Sequence, residues 1–96
     1  MKTIALSQIE RNIVRNILKG MPNVVIFGSR INGSSKRFSD LDICFKGAIA
    51  PEVFELLKEA FENSELPFKV DLVEYSKIPK TFQQIIDQQC IDISFL

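Results

Sequence analysis

The stretch GSRINGSSKRFSDLDICF, Gly28–Phe45, sets two glycines, four serines and the basic pair Lys36-Arg37 between an apolar run and two aspartates one residue apart. Upstream, Val24-Val25-Ile26-Phe27 is β-branched and aromatic and is stopped by Gly28, the pattern of a short strand buried on both faces. Downstream, Asp40 to Phe45 alternates polar and apolar residues. This predicts a second strand with Leu41, Ile43 and Phe45 on one face and Asp40, Asp42 and Cys44 on the other. A buried strand, a glycine-serine corner leading into a short helix, and a strand bearing paired carboxylates form the nucleus of the fold.

Working outward, Ser7-Gln8-Ile9-Glu10 is a capping box, and Ile9, Ile13, Val14, Ile17 and Leu18 recur at helical spacing until Gly20 and Pro22 end the helix. The stripe Arg11, Arg15, Lys19 is its solvated face. Pro51 opens a second long helix with Val53, Phe54, Leu57, Ala60 and Phe61 as its apolar stripe. Phe68 to Tyr75 predicts a third strand, with Phe68, Val70 and Leu72 on one side and Lys69, Asp71 and Val73 on the other. Pro79 starts a last helix carrying Phe82, Ile85 and Ile86, and CIDISFL, residues 90–96, reads as an extended tail. The expected class is α/β (α+β): a small mixed sheet with helices packed on it, residues 1–96 forming one domain.

Composition narrows the chemistry. Twelve basic and twelve acidic residues cancel, so no overall field draws the chain to DNA, RNA or an anionic membrane. Polar residues interrupt the N-terminal apolar stretch, and no apolar run approaches the roughly 18 residues of a spanning helix. A cytoplasmic protein is expected. Cys44 and Cys90 lie in apolar contexts without CxxC spacing, which predicts two reduced packing residues rather than a disulfide or zinc site. Histidine is absent, which removes the usual general base and the commonest transition-metal ligand. Reaction chemistry must then come from carboxylates, hydroxyls, lysine or a hard metal ion.

Carboxylates at i and i+2 of a strand point the same way with Cα atoms about 6.6–7 Å apart, so Asp40 and Asp42 can address one site. Held near an apolar sheet they repel each other and resist desolvation, which calls for a cation between them. Hard oxygen donors without imidazole or thiolate favour Mg²⁺ or Mn²⁺ together with substrate phosphates. Asp71, on the polar side of its own strand, adds a third carboxylate, and if the two strands are neighbours Asp40, Asp42 and Asp71 together form a two-metal cradle. The Gly28-Ser29 corner offers amides and a hydroxyl to an anion, and glycine lets a phosphate approach the backbone closely.

Gly28-Ser29, ten residues, then Asp40-Leu41-Asp42 resembles the signature of the DNA polymerase β-like nucleotidyltransferase superfamily, with Phe27, Leu41 and Ile43 in its apolar positions. Gly-Ser-Arg followed by glycine and Ser-Asp-Leu-Asp resembles in particular the minimal nucleotidyltransferase (MNT) group, antitoxin partners of HEPN-domain toxins. The resemblance spans the element order through Asp71 and implies a polymerase β-like palm fold. It further implies ATP as substrate, Asp40 and Asp42 as ligands of Mg²⁺, and Asp71 as the third carboxylate, which orients and deprotonates the attacking hydroxyl. Gly28, Ser29 and Arg30 are expected at the nucleotide. Lys36 and Arg37 are expected in solvent; Lys69 shares Asp71's face, and a part in the site and an exposed ion pair explain it equally well.

What the resemblance implies is transfer of AMP to a hydroxyl, a tyrosine of the HEPN toxin, within a hetero-oligomer. Two other readings stand beside it: an antitoxin that neutralises by occlusion without catalysis, and nucleotidyl transfer to RNA or a small molecule. Neutral net charge weighs against RNA, and the short chain leaves few walls for a small-molecule pocket.

Overall fold

A computed structural model describes residues 4–96. Helix α1 (Gln8–Ile17) starts at the expected box: the Glu10 amide donates to Ser7 Oγ at 3.1 Å and the Ser7 amide to Glu10 Oε1 at 2.8 Å. Strand β1 (Val24–Phe27) follows, buried along its whole length, and turns at Gly28 into the one-turn helix α2 (Ser29–Asn32). Strand β2 (Leu41–Phe45), helix α3 (Pro51–Glu62), strand β3 (Val70–Glu74) and helix α4 (Lys80–Gln88) complete the expected order. Asp40 lies one residue before β2 and is exposed, whereas the alternation had placed it inside the strand.

The extended tail is corrected by the structure. Cys90–Asp92 forms a fourth strand, β4, antiparallel to β1 with Ile26 opposite Ile91 and Phe27 opposite Cys90. A fully buried β1 must satisfy backbone groups on both edges, and only a second neighbour does so. Three residues are too few for a periodic signal to announce that strand. The sheet order is β3-β2-β1-β4, with β2 antiparallel to β1 and parallel to β3, which makes it mixed.

Register fixes the two faces. Leu41, Ile43 and Phe45 project to the side covered by α3, where the Phe45 and Phe54 rings meet edge to face at 5.9 Å. Val14, Leu18, Ile26, Leu41, Ile43 and Phe45 are buried there or nearby, each fully buried apolar side chain stabilising the fold by about 1.5–3 kcal/mol. On the other face α4 lies over part of the sheet, with Phe82 edge-on to Phe27 at 5.7 Å and Ile86 fully buried. Asp87 fastens α4 to the sheet, its carboxylate pairing with Lys46 Nζ at 2.7 Å and accepting from the Tyr75 hydroxyl at 2.5 Å. Cys44 is fully buried, as its apolar context predicts, and desolvation pushes its thiol up to about 11. Neither Cys44 nor Cys90 is in a disulfide.

Candidate active site

The site is built where β1 runs into Gly28 and where β2 and β3 begin, carrying Asp42 and Asp71. Antiparallel pairing sets Phe27 opposite Asp42, so the chain leaves β1 at Gly28 directly beside the Asp42 carboxylate. Parallel pairing sets Asp42 opposite Asp71. Residues paired across a sheet project to the same face. The two carboxylates therefore share the face that α4 leaves partly uncovered.

Gly28 is the tightest element of this corner. Its backbone, at φ 85° and ψ −155°, occupies a region that is essentially glycine-only. A Cβ at this position would collide with Asp42 Oδ2, so the same residue is demanded by the turn and by the approach of the carboxylate. The Ile31 and Asn32 amides close onto the Gly28 carbonyl at 3.1 and 3.3 Å, and no side chain caps the start of α2. Ser29, half-buried, opens the helix at that point.

Electrostatics single out Asp42. Burial, then the neighbouring charge of Asp71, then that of Asp40, push its carboxyl up to about 6. Asp71 is balanced on its other side by Lys69, whose Nζ stands 3.3 Å away on a side chain 72% exposed. An exposed ion pair is one of the two readings open for Lys69, and solvent screens it heavily. Among the described residues no three acidic or cysteine side chains close on one point, so Asp40, Asp42 and Asp71 are electrostatically coupled without forming a closed cage. The donor set is all hard oxygen, and Asp42 carries the strain of two like charges. Both properties suit a divalent cation such as Mg²⁺.

Arg30, expected at the nucleotide, is turned inward. Only 5% of it is exposed, and its guanidinium donates to the carbonyls of Ser39, Arg37 and Ala5 while lying 4.0 Å from the Phe68 ring centre. Lys36 and Arg37 are exposed, as expected, with Arg37 over the ring of Phe38. A groove of about 460 Å³ runs between α3 and β3, lined by Phe54, Phe61, Phe68, Lys69 and Asp71 among others. It reaches Asp71 but is not lined by Gly28, Ser29, Asp40 or Asp42. The inward Arg30 carried no sequence signal, since an arginine after a glycine-serine corner looks the same whether it faces phosphate or carbonyl.

The fold and the corner beside paired aspartates define a nucleotidyltransferase, and comparison with known proteins agrees: the family described as "Polymerase beta, Nucleotidyltransferase" matches residues 8–93. The chain belongs to that family, within its MNT-type antitoxin branch. MntA of Haemophilus influenzae, provisionally named a protein adenylyltransferase, is 38% identical over an 85-residue alignment that covers 80% of this chain and 72% of MntA. A Methanocaldococcus jannaschii protein, likewise provisionally named, is 28% identical over 92% of this chain and 97% of its own length. A chain from a crystal structure of a toxin-antitoxin with AMP-PNP superimposes with a TM-score of 0.67 at 25% identity, covering 86% of this chain and 71% of that one. No helix among the described residues is long and apolar enough to cross a membrane.

Proposed function

We propose that this chain is an antitoxin that transfers AMP from ATP to a hydroxyl of a partner toxin, a tyrosine of a HEPN-domain protein, and silences the partner by that modification. The observation that carries the reading is Asp42 standing opposite Asp71 beside a glycine that admits no side chain. The names of two relatives point to adenylyl transfer onto protein, and the AMP-PNP in a similar toxin-antitoxin structure points to an adenine nucleotide and a toxin partner.

In this reading Asp40 and Asp42 hold Mg²⁺. When bound, the metal neutralises phosphate charge and stabilises the entering and leaving oxygens of an in-line displacement. The chain's own groups do the rest. Gly28 and Ser29 bind the terminal phosphates through backbone amides and the Ser29 hydroxyl. Asp71 accepts the proton of the acceptor hydroxyl as its oxygen bonds to the α-phosphorus. The bond from that phosphorus to pyrophosphate breaks, and pyrophosphate leaves with its electron pair. The rigid β2–β3 pairing fixes the spacing of base and metal-holding carboxylates, so little reorganisation is needed.

The test is incubation of the full chain with ATP labelled at the α-phosphate, Mg²⁺ and the protein encoded beside it. The expected result is label on a partner tyrosine, abolished by EDTA and by the Asp40→Asn, Asp42→Asn double variant. No label, together with full neutralisation of the toxin by the double variant, would replace this reading with antitoxin action by occlusion.

A further inference from the structure

We propose that Arg30 is the positioning residue of this site, an inference that rests on the nucleotidyltransferase reading: it sets the loop leading to Asp40 without touching the nucleotide. Arg30 is the one buried charged residue among those described. Its Nε and Nη2 both donate to the Ser39 carbonyl, at 3.2 and 2.7 Å, and Nη2 also reaches the Arg37 carbonyl at 3.1 Å. Nη1 donates to the Ala5 carbonyl at 2.8 Å, and the Ala5 amide returns a bond to the Arg30 carbonyl at 2.8 Å. The face of the guanidinium lies over Phe68.

These partners are the segments that deliver the site. Arg30 follows Ser29, Ser39 immediately precedes Asp40, and Phe68 lies three residues before Asp71. The 36–39 turn is closed locally by the Lys36 amide on Ser39 Oγ at 2.8 Å and the Ser39 amide on the Lys36 carbonyl at 3.1 Å. Those bonds shape the turn; Arg30 ties it to the body on the near side of Asp40, and the Leu41 amide on the Lys69 carbonyl at 2.9 Å secures the far side. No carboxylate pairs with the guanidinium among the described residues, so carbonyl dipoles and an aromatic face alone hold a desolvated cation. Burying a charge this way is expensive where an apolar side chain would pack more cheaply. The planar fork of donors is what an apolar residue cannot supply, and lysine, a point charge, cannot supply it either.

The test compares Arg30→Lys and Arg30→Met with the parent in AMP transfer to the partner, with Mg²⁺ and ATP varied. Positioning predicts that both variants lose about tenfold or more in kcat while KM for ATP moves less than about threefold, and that lysine does not rescue. Hydrogen exchange at the amides of residues 39–41 should accelerate in both. A raised KM with kcat unchanged, or rescue by lysine, overturns the proposal in favour of direct nucleotide contact.

Should neither variant fold, the parent decides. The Arg30 Nε–H must be protected from exchange with water in the absence of ATP, and rapid exchange that ATP suppresses overturns the proposal. If the parent transfers no AMP, the nucleotidyltransferase reading fails by itself. Exchange at residues 39–41 then judges Arg30 separately, and unchanged rates in Arg30→Lys count against it.

Discussion

Asp42 and Asp71 face each other across the only parallel strand pair of the described sheet, and burial, reinforced by repulsion from Asp71 and then Asp40, lifts the Asp42 carboxyl to about 6. A stability effect follows with a definite sign. The folded chain holds the Asp42 proton more tightly than the unfolded chain does, so stability relative to high pH is fully present below the ordinary value of 3.8 and is lost as pH rises through about 6. In EDTA, denaturant unfolding at pH 7.5 should show Asp42→Asn more stable than the parent by about 1 kcal/mol, allowing for solvent screening. The two should converge near pH 4. A variant less stable than the parent at pH 7.5 would contradict the repulsion.

The glycine corner separates two kinds of cost. Gly33→Ala meets open space, and its penalty is the left-handed backbone alone, about 1–2 kcal/mol. Gly28→Ala adds a collision with the Asp42 carboxylate to a backbone region with a penalty of about 1–3 kcal/mol. Thermal melts should rank Gly28→Ala below Gly33→Ala, and only Gly28→Ala should abolish AMP transfer.

Asp71 and Lys69 are an ion pair with unequal roles. Asp71→Asn removes the proposed proton acceptor and should cut kcat for AMP transfer by about 10²–10⁴-fold. Lys69→Ala deletes an exposed partner and should change stability by less than about 1 kcal/mol. Equal losses of kcat in the two variants would mean that the pair acts as a unit.

Strand β4 makes a further prediction. Ile91 is 6% exposed and stands opposite Ile26 on the central strand. Ile91→Ala should therefore cost about 2–4 kcal/mol in urea unfolding, as a core truncation does. A loss below 0.5 kcal/mol, the range of an exposed tail, would speak against the fourth strand.

Much of this architecture was legible from the sequence because its signals are local. The capping box at Ser7, Pro51 at the start of α3 and the alternation of Leu41, Ile43 and Phe45 each need only a few neighbouring residues to be read. The juxtaposition of Asp42 with Asp71 needed the β2–β3 pairing, which spacing alone left conditional. Two features were not legible. Strand β4 is created by the unmet hydrogen bonds of β1, a property of the partner and not of Cys90–Asp92. The inward turn of Arg30 depends on carbonyls from residues 5, 37 and 39 meeting in space, and no window of sequence contains that meeting.

The pairing of β1 with Cys90–Asp92 also bears on synthesis. The strand that ends at Gly28 is made early, yet its second edge stays open until residues 90–92 leave the ribosome. A nascent chain thus carries the glycine-serine sequence long before the corner has a rigid support, and contacts so distant along the chain form late. On the proposed reading, the corner that would hold nucleotide gains the second neighbour of its supporting strand only once residues 90–92 have been made.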